Sequence, residues 1–311
     1  MWEPAPAETN LGTEQGAKMQ TLTIGDIRID RVLEQEGPIF GLDFLLPDAP
    51  PDMLDANADW LMPRYADPAS RNLILAFHSL LVRTPNLTIL VDACVGNDKE
   101  RPNRPPWHHA QFPYLETLAR HGVSPDDIDI VLCTHLHADH VGWNTKLLDG
   151  RWVPTFPNAN YVFAKREYEF WEAENRAASD DEPVNHGSFY DSVLPVVEAG
   201  RAKLVADDHE IDQGIWLEPA PGHTPGNIVI RVERDGKRAL LVGDAIHSPA
   251  QFADPRISTR FCTDPVQSAQ TRLRLIDEVA ETDTAFLTAH FPTPTAGRIV
   301  RRGDAFGFQG L

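Results

Sequence analysis

The segment His135-Leu136-His137-Ala138-Asp139-His140 places three imidazoles and a carboxylate within six positions. Those donor types at that spacing suit two divalent cations held side by side, because imidazole nitrogen and carboxylate oxygen both ligate zinc and its neighbours well. The run that leads in, residues 128 to 134, is apolar and β-branched, and reads as a buried strand ending where the ligands begin. Period two sends His135 and His137 to one side of that strand end, and a turn then lets Asp139 and His140 face a second ion. A histidine-rich surface turn would use the same residue types, but rarely behind a buried strand.

Two ions need more ligands than one loop supplies. His223 sits in Pro221-Gly222-His223-Thr224-Pro225-Gly226, where glycines permit a sharp turn and prolines stiffen it. Asp244 closes the apolar run Ala239 to Gly243, and His290 closes Ala285 to Ala289. Taken singly these are a turn histidine, a strand-end cap and a core histidine. Together they supply an acid able to bridge two cations and imidazoles to complete each shell. His247, three residues after Asp244, is placed to line a pocket or donate a hydrogen bond, or is a plain loop histidine. Phe44, Trp107, Trp171 and Phe261 are candidate apolar walls, each of which alone would also fit a core. His108 and His109 read as surface residues, since adjacent side chains point apart.

The pattern His135-x-His137-x-Asp139-His140, then Gly222-His223-Thr224-Pro225-Gly226, Gly243-Asp244 and Ala289-His290, resembles the metallo-β-lactamase-fold hydrolases at all seven ligand positions. The wide spacing before His223, the early Ser79 to Asp92 hairpin and the N-terminal extension resemble the branch of lactonases and methyl-parathion-hydrolase-like enzymes. The resemblance implies an α/β fold, an αββα sandwich of two mixed β-sheets flanked by helices, with the metals at one edge. It implies that His135, His137 and His223 hold one metal, that Asp139, His140 and His290 hold the other, and that Asp244 bridges. Asp92 would support a ligating histidine from behind. Two divalent ions per chain are expected, zinc first, with manganese, iron or cobalt compatible with the same donors.

Such a pair lowers the pKa of water toward about 7, so a hydroxide between the ions would attack an electrophilic centre while Asp139 carries a proton for the leaving group. Opening of a lactone is the leading expectation. The alternative is phosphotriester hydrolysis on the same site, with thioester or β-lactam hydrolysis behind it. Di-iron redox relatives usually carry a flavin domain, and little chain follows residue 300. A non-catalytic binding protein would be expected to have lost ligands.

The elements that position these residues follow from the rest of the chain. Its 311 residues, 42% hydrophobic, suffice for one hydrolase domain over 20–311, because the ligands span both halves. Residues 1–19 read as a flexible lead, possible as an arm in a homodimer, and lack the apolar segment of a signal peptide. Three widely separated cysteines argue against a disulfide framework and for the cytoplasm, with Cys133 a packing residue. A net charge of −18 repels nucleic acid and anionic membranes, and no run has membrane-spanning length. The partner expected is a small lactone or ester.

Residues 22 to 33 read as two strands joined at Gly25-Asp26, and 79 to 92 as a hairpin turning at Thr84-Pro85-Asn86. Residues 38–70 and 96–112 lack a period and read as cap loops over the site. Helices are expected over 113–121, stopped by Gly122, over 164–174 with Tyr168 and Trp171 on one face, and over 264–281. The last is capped by Asp264 and Pro265 and buries Leu273, Ile276, Val279 and Ala280. Asp126 and Asp127 read as turn acids, 159–163 as a strand, and 175–188 as an exposed loop.

Overall fold

Runs rich in Val, Ile and Leu build two seven-stranded sheets in the computed structural model, which describes residues 21–179 and 183–311. The expected N-terminal lead, 1–19, lies outside the described residues. The first half of the chain supplies Leu22–Ile24 (β1), Ile27–Gly41 (β2), Asn72–Arg83 (β3), Thr88–Val91 (β4), Ile130–Leu132 (β5), a small separate hairpin of Thr145–Leu148 (β6) and Arg151–Pro154 (β7), then Asn160–Ala164 (β8) and Ala202–Val205 (β9). The second supplies Glu210–Asp212 (β10), Ile215–Pro219 (β11), Ile228–Arg234 (β12), Lys237–Leu241 (β13), Ala285–Leu287 (β14), Ala296–Arg302 (β15) and Ala305–Gly310 (β16). Sheet one runs β1-β2-β3-β4-β5-β8-β9, antiparallel as far as β4 and parallel beyond it. Sheet two runs β10 to β16 in sequence order, with β13 and β14 its parallel pair.

Both faces of each sheet are covered, which is why the central strands are apolar without alternation. Period two then sorts the side chains between layers. Leu80 and Val82 of β3 pack between the sheets with Leu132, Leu217, Ile230 and Leu241. Leu81 points the other way, into the layer formed with the helix Tyr114–Arg120 and with Trp171 of the helix Lys165–Ala177. Leu275, Ile276 and Val279 of the helix Pro265–Val279 cover the outer face of sheet two against Val229, Leu240 and Phe286. The result is the αββα sandwich of mixed sheets.

Several boundaries differ from the expectations, for identifiable reasons. β2, expected to end at Leu33, continues to Gly41 through Glu34-Gln35-Glu36-Gly37-Pro38. It holds its pairing with β3 by register shifts between Leu33 and Gln35 and between Pro38 and Phe40. β1 pairs only as far as Ile29, so Pro38 lies where β2 is an edge and no ladder donor is lost on that side. β3 likewise starts at Asn72 rather than Ser79. Residues 38–70 are therefore a strand end followed by three short helices, Leu42–Leu45, Met53–Ala56 and Ala58–Leu61, around their own apolar core. The last helix keeps its Asp264 cap, which accepts from Gln267 N at 2.9 Å, but Leu275 is buried where Leu273 was expected. The helix expected to end at residue 174 runs on to Ala177, and residues 183–188 are not the exposed loop they resemble. Asn185 packs onto the histidine loop, donating to the Leu136 carbonyl at 2.7 Å and accepting from Ala138 N at 3.1 Å.

Candidate metal centre

The histidine loop leaves the C-terminal end of β5 and is held by Asp92, which follows β4. Thr134 donates to Asp92 Oδ1 from its backbone N–H at 2.8 Å, and its hydroxyl lies within 2.9 Å of Oδ2. That hydroxyl is also 3.1 Å from His135 Nδ1. Donating to Asp92, it accepts from Nδ1–H and leaves the His135 Nε2 lone pair facing inward. Asp92 Oδ2 lies 2.9 Å from His140 Nδ1. The short helix Ala138–Val141 carries Asp139 and His140 and is clamped against the segment after β4: Ala93 N donates to the His140 carbonyl at 2.7 Å. The approach is close enough that a Cβ on Gly142 would sit 1.8 Å from the Val95 carbonyl oxygen.

Sheet two brings the remaining donors. Gly222 has φ +129° and a Cβ there would meet Ser268 N at 2.2 Å, so the His223 turn rests directly on the start of the helix Pro265–Val279. Asp244 follows β13 and His290 follows β14. The His290 Nδ1–H donates to the Ala76 carbonyl at 3.0 Å, and Ala76 N donates back to the His290 carbonyl at 3.0 Å. The early part of β3, unseen in the sequence pattern, thus fixes this ring and turns its Nε2 lone pair to the site.

The seven residues assemble at the sheet ends. His135, His137, His223 and Asp244 form one group, and Asp139, His140 and His290 another, the ligand atoms of each lying within 4.8 Å of one another. His223 Nε2 is 3.1 Å from His135 Nε2 and 2.9 Å from His137 Nδ1, and the last two are 3.0 Å apart. A tetrahedral ion with nitrogen ligands at about 2.0–2.1 Å would set such edges near 3.3 Å. Asp244 lies between the groups. Its Oδ1 is 3.3 Å from His140 Nε2 and 3.1 Å from His290 Nε2, and its Oδ2 is 3.3 Å from His223 Nε2. His140 Nε2 and Asp244 Oδ1 are buried without a hydrogen-bond partner. Converging lone pairs and orphaned buried atoms fit a pair of cations.

Charge follows the same layout. Burial, reinforced by His140 and the other neighbouring rings, pushes His135 well below the usual imidazole range, and burial with His223 beside it does the same to His137. Against its own burial, Asp244 is held well below the carboxylate range by His140, His290 and His247. Burial opposes ionisation of His223 too, yet the Asp244 contact raises it to about 9.

The family model of the Metallo-beta-lactamase superfamily matches residues 78–301. The chain belongs to that superfamily. An N-acyl homoserine lactonase from Agrobacterium fabrum is 26% identical over 261 residues, 77% of this chain and 81% of that protein. One from a Bacillus species is 28% identical over 164 residues, 51% of this chain, and one from Bacillus thuringiensis 30% over 142 residues, 45% of it. The matched region spans 55% and 47% of those two relatives, about half their length. Among solved structures, the hydrolase AbOPH superposes with a TM-score of 0.79 at 23% identity, covering 96% of this chain and 99% of that one. The dizinc quorum-quenching lactonase AidC, bound to its homoserine product, gives 0.72 at 20% identity, covering 94% and 97%. At these identities the superpositions speak for the fold.

In this metallo-β-lactamase-superfamily chain the ligand cluster floors a cavity of about 210 Å³. Trp107, Trp171, His247 and Phe261 line it, as do Asp139 and His137. Phe44 does not. It stacks behind Phe40 at 5.1 Å, and Phe40 takes the wall position instead, along with Leu45, Leu75 and Phe77. His247 Nε2 lies 3.0 Å from Asp244 Oδ2, and burial holds this ring down to about 4 against the pull of that carboxylate. Trp107 belongs to both core and cavity, meeting Phe77 edge to face at 5.5 Å. His108 and His109 stay outside: His108 Nδ1 accepts from Arg101 N at 3.0 Å.

Three groups escaped the sequence reading. Glu167 is buried and accepts four hydrogen bonds: from Leu136 N at 3.0 Å, Trp171 Nε1 at 2.7 Å, Thr224 Oγ1 at 2.7 Å and Gly226 N at 3.0 Å. It ties the His135–His140 loop to the His223 turn. The signal was its place four residues before Trp171, on the helix face already marked apolar. Glu34 accepts from Val95 N, Gly96 N and Trp143 Nε1, and burial raises it to about 7 despite those bonds. Its signal was hidden in the unrecognised half of β2. Arg104, in the wall of the cavity, carried none.

Proposed function

We propose that this chain is a dinuclear metal-dependent hydrolase that opens lactones. The observation that carries the reading is Asp244, whose two oxygens face two separate imidazole groups at the floor of an apolar cavity. The named lactonase relatives support the reaction class. His135, His137 and His223 would hold one ion, Asp139, His140 and His290 the other, with Asp244 shared. Zinc is the metal proposed from this donor set. When bound, the ions would supply Lewis acidity and lower the pKa of water toward about 7.

The chain's own residues do the rest. Asp139 sits partly exposed at the cavity floor, its Oδ2 3.5 Å from His290 Nε2, where it can carry a proton to the departing alkoxide. His247 and Trp171 border the reacting centre. Phe40, Leu75, Phe77, Trp107 and Phe261 exclude water and hold the apolar part of the substrate. A cytoplasmic location and a homodimer belong to the same proposal. Among the described residues no helix is long and apolar enough to cross a membrane.

The phosphotriester alternative finds no support among the relatives named above. A panel of lactones of several ring sizes, an aryl ester, a paraoxon-like triester and nitrocefin, assayed on zinc- and manganese-loaded protein, tests the reading. Lactones should be opened at least about a hundredfold faster than the triester and nitrocefin, some 2.7 kcal/mol in barrier. Turnover confined to the triester or nitrocefin would contradict it.

A further inference from the structure

Two arginines that the metal chemistry does not use stand against one aromatic cluster: Arg104 lines the cavity, and the exposed Arg260 lies over Phe44 behind its wall. The Arg104 guanidinium lies 5.6, 5.4 and 5.5 Å from the ring centres of Phe40, Phe44 and Phe261, and the Arg260 guanidinium 4.2 Å from that of Phe44. Among the described residues neither has a carboxylate in ion-pair contact or donates a side-chain hydrogen bond, and Arg104 Nε is buried without a partner. Elsewhere buried and half-buried arginines are paired or bonded: Arg31 with Glu36, Arg83 with Asp30, Arg101 with Asp191, Arg231 with Glu218, and Arg272 with three backbone carbonyls. With 46 acidic residues available, two arginines left together against one aromatic cluster stand out. Of the charges acting on Arg104, that of Asp139 on the cavity floor comes first and favours its ionised form, and that of Arg260 comes second and opposes it. Cation–π contact with the rings holds both guanidinium groups in place without pairing their charge.

A half-buried guanidinium and an exposed one beside it, both with free donors, make a seat for an anion, and the guanidinium fork matches a carboxylate. Arg104 lines the same cavity as Asp139 and Asp244, so a molecule whose reacting end lies at the proposed metals can reach it with its other end. We propose that Arg104 and Arg260 form an anion-recognition site, and that the chain selects lactones whose exocyclic arm ends in a carboxylate. The arm's methylenes lie along Phe40 and Phe261, and its carboxylate takes the two guanidinium groups. The substrate class rests on the lactone reading above; the anion site itself does not.

The test compares two γ-lactones of matched arm length, one ending in carboxylate and one in methyl, on the metal-loaded protein. Arg104→Met and Arg260→Met keep the apolar stems over the rings while removing the charge. The unchanged chain should favour the carboxylate arm in kcat/KM by about tenfold or more, as expected for a charge-assisted pair. Arg104→Met should abolish most of that preference, Arg260→Met should lower it less, and Arg104→Lys should recover part of it. Calorimetric titration with hexanedioate and hexanoate reads the same site without turnover: hexanedioate should bind about tenfold more tightly, and Arg104→Met should equalise the two. If no lactone is opened but this binding difference holds, the anion site stands and the lactone reading falls. If lactones open while both comparisons come out equal, the anion site is overturned and the lactone reading stands.

Discussion

Asp244 joins donors from two sheets, and that makes it the residue with the most to lose. Replacement by alanine would leave the proposed pair of cations close together with no anion between them. Asp244→Ala should therefore lower kcat/KM by more than any single histidine-to-alanine change in the cluster. Activity within about tenfold of the unchanged chain, a barrier change of only about 1.4 kcal/mol, would show that it does not bridge. The cluster of donors was legible in the sequence because His135, Asp244 and His290 each follow an apolar run, so residue type and element boundary coincide. Glu167 was not, since its role depends on four donors brought from three separate segments. Glu167→Gln would turn an amide N–H₂ toward two of those buried donors. Urea unfolding should show a loss of about 2–3 kcal/mol, and an unchanged midpoint would remove Glu167 from its structural role.

Elements whose pattern was locally consistent matched their expectations, and those held by tertiary contact did not. The helix Pro265–Val279 announces itself by cap, proline and apolar face. The second half of β2 has none of these, and only pairing with β3 makes Glu34 to Gly41 a strand. Segment 96–112 is irregular in the sequence and in the fold, but it is fastened at one end by an ion cluster. Lys99 donates to Thr145 Oγ1 at 2.6 Å and to the Asp191 carbonyl at 3.2 Å, while Arg101 forks onto the Asp191 carboxylate at 2.6 and 2.9 Å. This anchor carries Arg104 and Trp107 to the cavity. Burial lowers Lys99 from 10.5 to about 7, more than Asp191 raises it. Between those values the unfolded chain binds a proton that the folded chain does not, so stability should rise with pH across that window. Below about 7 the folded state must carry the buried charge, and the gain is lost. Comparing urea midpoints of the unchanged chain and Lys99→Met at pH 7 and pH 9.5 isolates the effect. The difference between them should move in favour of the unchanged chain at the higher pH, and a difference independent of pH would place Lys99 in solvent.

At the scale of the whole molecule, the sandwich brings the end of β5 in one sheet and the ends of β11, β13 and β14 in the other to a common edge. Neither sheet alone carries the seven donors, so the site forms only when both pack. The superfamily was legible from ligand order alone. The cavity walls were not, because they come from segments whose aromatic residues have no period and are sorted into wall or backing only by packing, as Phe40 and Phe44 illustrate. The proposed function requires two metal ions per chain. It is tested by stripping the purified protein with chelator and adding back zinc while following bound metal by elemental analysis and lactone opening in parallel. Activity should climb with occupancy and level off near two ions per chain. Full activity in protein that retains close to no metal would contradict the account.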